Sequence, residues 1–208
     1  MTDARTTRTV GILAFDAMEV LDFAGPYEVF NVAGELTTGP RFDVRTIGVA
    51  PGVIEGRGGF AVRPHETIAT AATPDVLVVP GGAGARDLVR DPAVVGWVRT
   101  AADEAEIVLS VCTGALVLAA AGLLDDRPAT THHTAFETLG RLAPSTRVVT
   151  GARYVQGSER VWTSAGVSAG VDLALRIVRL LAGTDLHDRV VAEREWGWTG
   201  TDDRGATA

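Results

Sequence analysis

Val108-Leu109-Ser110-Val111-Cys112-Thr113-Gly114-Ala115 is the stretch that decides the fold. Ile107 to Val111 is apolar at nearly every position, as in a central parallel strand buried on both faces. It runs directly into a small-residue helix, Gly114 to Ala121, that stops at Gly122, where a left-handed turn is easily made. Cys112 therefore occupies a sharp strand-to-helix turn, with Ser110 and Gly114 two positions away on either side to relieve crowding, the logic of a nucleophile elbow. Such a turn holds the side chain above the carboxyl end of the strand and near a helix N-terminus. The positive end of the helix lowers a thiol pKa, so a thiolate is the expected reactive form. A lone cysteine is also a small buried hydrophobe, but the strand-to-helix setting favours the nucleophile.

Outward from this turn the chain alternates strand and helix signals. Thr9 to Phe15 predicts a strand, Phe23 to Ala33 a helix, and Phe42 to Val49 a second strand; the Gly-rich segment Gly52 to Pro64 reads as a hairpin. Val76 to Val79 is another buried strand, and Pro92 to Glu104 a helix. Beyond Cys112 come a turn and short strand over Asp125 to Thr131, a helix over Thr134 to Leu142, and strands beginning at Val148, Tyr154 and Val161. Val167 to Leu181 puts Val171, Leu175, Val178 and Leu181 on one apolar face, and a second helix covers Leu186 to Glu195. The order predicts an α/β domain with a mostly parallel sheet and helices on both faces. The core spans about residues 9 to 195 of a single domain, 1–208, and the polar tail 200–208 is expected to fray.

Composition narrows the chemistry. The 208 residues carry 26 acidic and 19 basic groups for a formal charge of -7, and all 19 bases are arginine. Without lysine there is no Schiff-base chemistry, no pyridoxal phosphate anchor and no phosphate loop ending in Gly-Lys. The acidic balance leaves no footprint for nucleic acid. One cysteine allows neither an internal disulfide nor a multi-cysteine zinc site. No signal core and no run long enough to span a membrane are evident, so a cytoplasmic protein with no membrane partner is expected.

Two further segments can serve Cys112. Asp22, between Leu21 and Phe23, follows the first strand and belongs at the carboxyl edge of the sheet, where sites assemble. It is either a partly desolvated acid or the N-cap of the following helix. Pro80-Gly81-Gly82-Ala83-Gly84 ends a central strand with glycines that let backbone amides approach a ligand, and Gly82 is the candidate oxyanion donor, with Thr113 beside it. Gly82-Ala83-Gly84 starts a G-x-G pattern, but Asp87 stands where a dinucleotide fingerprint needs a small residue. His132 and His133 either handle protons or cap the next helix. Metal ligation has no recognised spacing here. Thr163 to Gly170 follows a strand and opens the next helix, so its amides and hydroxyls are expected at the same edge and its small residues leave room for a ligand, although Gly166 and Gly170 could instead serve close helix packing.

Pro80-Gly81-Gly82, Ser110-Val111-Cys112-Thr113-Gly114 and Ala129-Thr130-Thr131-His132 together resemble the ThiJ/PfpI superfamily, from about Val10 to Leu181. The resemblance implies a flavodoxin-like sandwich, similar to class I glutamine amidotransferases, with Cys112 as nucleophile and Asp22 as its acidic neighbour. A homodimer acting on a small-molecule substrate is also implied, with His132, Gly166 and Val167 lining the substrate pocket. Leu21-Asp22-Phe23-Ala24-Gly25-Pro26 with Ser110 to Gly114 is most similar to the isocyanide (isonitrile) hydratase branch and to the amidotransferase-like domain of arabinose-regulator-type transcription factors. The hydratase branch implies a thioimidate on Cys112, with no metal or organic cofactor. Thr113 stands where protease-like and many glyoxalase-like relatives carry histidine, which argues against those activities. His187 is followed by Asp188-Arg189 rather than the late His-x-Glu of glutaminases. Such regulators carry a C-terminal helix-turn-helix region, and residues 182–208 are too few for one. A redox or ligand sensor using the same thiol and a glyoxalase-like small-aldehyde enzyme are the alternatives.

Overall fold

The computed structural model describes residues 7–39 and 41–197; Trp198 and the expected tail lie outside the described residues. The chain runs β1 (Thr7–Ala14), α1 (Val20–Leu36), β2 (Arg41–Gly48), β3 (Ile54–Gly56), β4 (Phe60–Val62), β5 (Glu66–Thr67), β6 (Val76–Val79), α2 (Ala85–Leu88) and α3 (Pro92–Glu104). It continues through β7 (Ile107–Val111), α4 (Gly114–Ala120), β8 (Pro128–Ala129), α5 (Phe136–Leu142), β9 (Arg147–Val148), β10 (Tyr154–Gln156), β11 (Val161–Ser164) and α6 (Ala169–Glu193).

The seven-stranded central sheet has the order β10-β11-β7-β6-β1-β2-β5. Its pairings are parallel except for β10 on β11. β6 and β7 are buried at every residue, which is why their sequences lack polar alternation. α1 and α6 pack on each other and on the sheet, while α4 packs on β6 and β7 with α2, α3 and α5 around it. The result is the expected α/β architecture. From β1 the chain crosses to β2 on one side, and from β6 to β7 on the other, so the strand order reverses between β1 and β6. In open parallel sheets a ligand crevice forms outside the carboxyl ends at such a reversal.

Several boundaries differ from the sequence reading. α1 begins at Val20, not Phe23, and Glu19 takes the cap position without a side-chain cap. Asp22 is thus inside the first turn and is not an N-cap. The hairpin is present as β3 and β4, and the strand at Val148 pairs with β8 in a separate two-stranded sheet. α6 starts at Ala169, and the two expected C-terminal helices are continuous except at Gly183, whose φ of 88° and ψ of 173° break the helical path. Within α6 Val171, Leu175 and Val178 are buried, as the helical spacing requires.

Candidate active site

Four connections converge at the strand-order reversal: those after β1, β6, β7 and β11. Cys112 follows β7 with φ of 57°, a left-handed conformation that costs a non-glycine residue about 1–2 kcal/mol. The turn is clamped on both sides. Thr131 Oγ1 donates to the Cys112 carbonyl at 2.7 Å, and the Cys112 amide donates to the carbonyls of Ser164 and Ala165 at 3.2 Å. Gly114 is required behind it because a Cβ there would run into the Val79 and Pro80 carbonyls. These contacts hold the strain that presents the side chain, as strained backbone persists only where its surroundings over-determine it.

Asp22 is wholly inaccessible to solvent, although it is charged in the ordinary pH range. Its oxygens receive the Gly81 amide on Oδ2 and the Val167 amide on Oδ1, both at 3.1 Å, and its carboxyl also hydrogen-bonds the Cys112 thiol. Desolvation outweighs these donors and pushes its pKa up from 3.8 to about 6. Val167 reaches it only by taking φ of 55°, an uncommon conformation for a β-branched residue. Two strained residues, Cys112 and Val167, thus flank one buried acid.

The thiol differs from the sequence expectation. Burial to 6% exposure and the neighbouring Asp22 charge push Cys112 up from 9.0 to about 12, against the opposing pull of the Thr113 amide and hydroxyl. The resting form is a thiol, not a thiolate, because burial and a like charge exceed what the end of the seven-residue α4 offers. A second correction concerns Gly82. Its amide donates to Thr113 Oγ1 at 2.9 Å, and that hydroxyl donates in turn to the Gly82 carbonyl at 3.0 Å, so Gly82 is not a free oxyanion donor. Its φ of 128° lets the chain pass against Glu19 and Ala17, where a Cβ would overlap backbone. Thr113, itself buried, is what faces the sulfur.

A pocket of about 220 Å³ opens on Cys112 and is lined by Glu19, Arg57, Gly82, Ala83, Arg86, Thr113, His132, Thr134 and Val167. A second of about 340 Å³ shares His132 and Val167 with it and continues along Thr131, His133, Phe136, Gly151, Ala152, Arg153, Ala165 and Gly166. The two expected histidines divide their duties. His132 Nδ1 accepts from the Thr134 amide at 3.4 Å and sits 2.8 Å from Thr134 Oγ1, which caps the turn and leaves the ring proton on Nε2. Desolvation, His133 and Arg86 push the His132 pKa down, so the ring is held neutral. His133 is exposed and lines only the second pocket. Thr163 and Ser164 do not present hydroxyls to either pocket: Thr163 Oγ1 accepts from the Thr130 amide, and Ser164 Oγ donates to the Ser110 and Ala165 carbonyls. Among the described residues no three His, Cys, Asp or Glu side chains gather as metal ligands would.

The pattern of the DJ-1/PfpI family matches residues 8–180, covering every element that builds this site. The chain belongs to the DJ-1/PfpI family. An isonitrile hydratase of Pseudomonas putida is 34% identical over 190 residues, 90% of this chain and 78% of that protein. A transcriptional regulator of Pseudomonas aeruginosa is 25% identical over 183 residues, 88% of this chain and 49% of the regulator. Among solved structures, a ThiJ/PfpI family protein from Pseudomonas syringae superposes with a TM-score of 0.84 at 25% identity, over 98% of this chain and 81% of that one. No helix of the described DJ-1/PfpI chain is long and apolar enough to cross a membrane.

Proposed function

We propose that this protein hydrates isocyanides to N-substituted formamides through a thioimidate on Cys112. The observation that carries the reading is the buried Cys112–Asp22 pair, a cysteine at a left-handed strand-to-helix turn beside an acid held by the Gly81 and Val167 amides, whose pKa burial pushes up to about 6. The identity with an isonitrile hydratase over 90% of the chain supports it.

Because the thiol holds its proton to about pH 12, attack and proton transfer go together. Asp22 takes the Sγ proton as sulfur adds to the terminal carbon of R–N≡C, and then delivers that proton to the same carbon, giving R–N=CH–S–Cys112. Water adds to this carbon; Asp22 removes its proton and passes it to nitrogen, giving R–NH–CH(OH)–S–Cys112. Collapse expels sulfur, which recovers a proton from the new hydroxyl through Asp22, and releases R–NH–CHO. One water is consumed, and the cysteine and aspartate are regenerated. The Thr113 amide stabilises sulfur when it carries charge. The second pocket, with Phe136, Ala152 and Val167, receives the apolar part of R. A homodimer in the cytoplasm is part of the same reading.

The test is formamide production from a simple alkyl isocyanide. Wild-type protein is expected to form it catalytically, and Cys112→Ala to fall at least 1000-fold, to background. Wild-type rates in that variant, or lactate from methylglyoxal in place of formamide, overturn the proposal.

A further inference from the structure

The pocket over Cys112 contains charges that the hydration chemistry above does not use. Glu19, Arg57 and Arg86 all line it, in a protein whose overall charge is -7. Glu19 is committed: Arg57 Nη1 donates to its Oε2 at 2.7 Å, and that pair is locally neutral. Arg86, at the start of α2, makes no ion pair among the described residues and stands exposed at the mouth of the pocket. It shares the lining of this pocket with His132, on which its charge and that of Glu19 act in opposite directions. The mouth of the site thus presents one unbalanced cation, which a cleft focuses toward an incoming ligand.

We infer that the substrate is a small isocyanide carrying a carboxylate on its side group, and that Arg86 is the residue selecting it. The inference rests on the hydratase reading for the isocyanide, while the anion preference is a property of the pocket itself. A linear C≡N–R group attacked at its terminal carbon directs R away from sulfur, so that a carboxylate borne on R meets Arg86 at the mouth while any apolar remainder lies toward the second pocket. The guanidinium offers two parallel N–H donors to it. Glu19, held by Arg57, leaves Arg86 free for the ligand.

Two readouts separate this inference from the activity it builds on. The first is alkylation of Cys112 by iodoacetate and by iodoacetamide, which share a leaving group and differ in charge. The rate ratio of the anionic to the neutral reagent is expected to fall about fivefold in Arg86→Met and further in Arg86→Glu, and to fall in wild type as salt screens the arginine. The second is the ratio of kcat/KM for an isocyanoalkanoate to that for its methyl ester, with the same expected loss. Arg86 is exposed, so both variants retain the fold. Ratios indifferent to both substitutions overturn the inference and leave the hydratase reading intact. A responsive alkylation ratio in a protein that hydrates neither isocyanide sustains the anion preference and removes the hydratase reading.

Discussion

Cys112 and Asp22 divide one proton between two groups whose ordinary pKa values are reversed in usefulness by burial. Burial and the Asp22 charge push the thiol up to about 12 and favour its protonated form, so in the proposed mechanism the acid acts as the base that releases the nucleophile. Asp22 does this only when ionised, and it ionises as pH rises through about 6. The expected kcat/KM profile therefore has a rising limb with a midpoint near pH 6, and no fall until well above pH 9. A rising limb near pH 4 instead would mean that Asp22 titrates like a solvated carboxylate. The sequence made Cys112 legible because a buried strand, a cysteine and a small-residue helix occur without a gap. Asp22 was legible as a partly desolvated acid between Leu21 and Phe23, and two neighbouring anions are expected to raise one another's proton affinity; which of the two keeps the proton was not legible. Sequence spacing suggests a helix end that lowers the thiol pKa, and only the packed structure reveals how far burial outweighs it.

At the scale of elements, four loop-bearing strand ends meet, and small residues set how closely they do so. A Cβ on Gly81 would lie 2.5 Å from the Thr113 amide nitrogen and 2.8 Å from Asp22 Oδ2, so this position cannot carry a side chain without parting three of the four connections. Gly166 is set against the His132 ring, and a Cβ there would overlap Cδ2. Gly166→Ala is accordingly expected to displace His132 and lower kcat/KM about tenfold, Gly166→Leu to remove turnover of bulky isocyanides, and both to keep the fold by circular dichroism. Adding His132→Ala to Gly166→Ala should restore part of the loss, since the ring that collides is gone; strictly additive losses contradict a steric role. Gly166 was readable as a pocket residue through the family resemblance, its place after β11 showing only that small residues reach the site edge. The left-handed Val167 was not, because nothing in Gly-Val-Ser signals that a valine amide must turn inward to meet an aspartate 145 positions away. The short pairings of β8 with β9 were hidden for a similar reason: two-residue strands have no periodicity to read.

Across the whole molecule, the parallel sheet and its strand-order reversal explain why residues 22, 81, 112 and 167 form one site, and the alternation of strand and helix signals made that architecture readable. The pair Cys112–Asp22 and both pockets are built within one chain. Leu21, Val53 and Phe60 stay exposed on its surface. A homodimer is expected, with sedimentation equilibrium giving twice the chain mass at micromolar concentration; a monomer at that concentration contradicts it. The central claim, covalent catalysis at Cys112, is tested most directly by intact-protein mass spectrometry of acid-quenched turnover with an alkyl isocyanide. The account predicts a transient species heavier than the protein by the full mass of the isocyanide, mapped to the peptide containing Cys112 and absent in Cys112→Ala. Formamide produced at the wild-type rate with no such species at any quench time, and equally by the alanine variant, would contradict it.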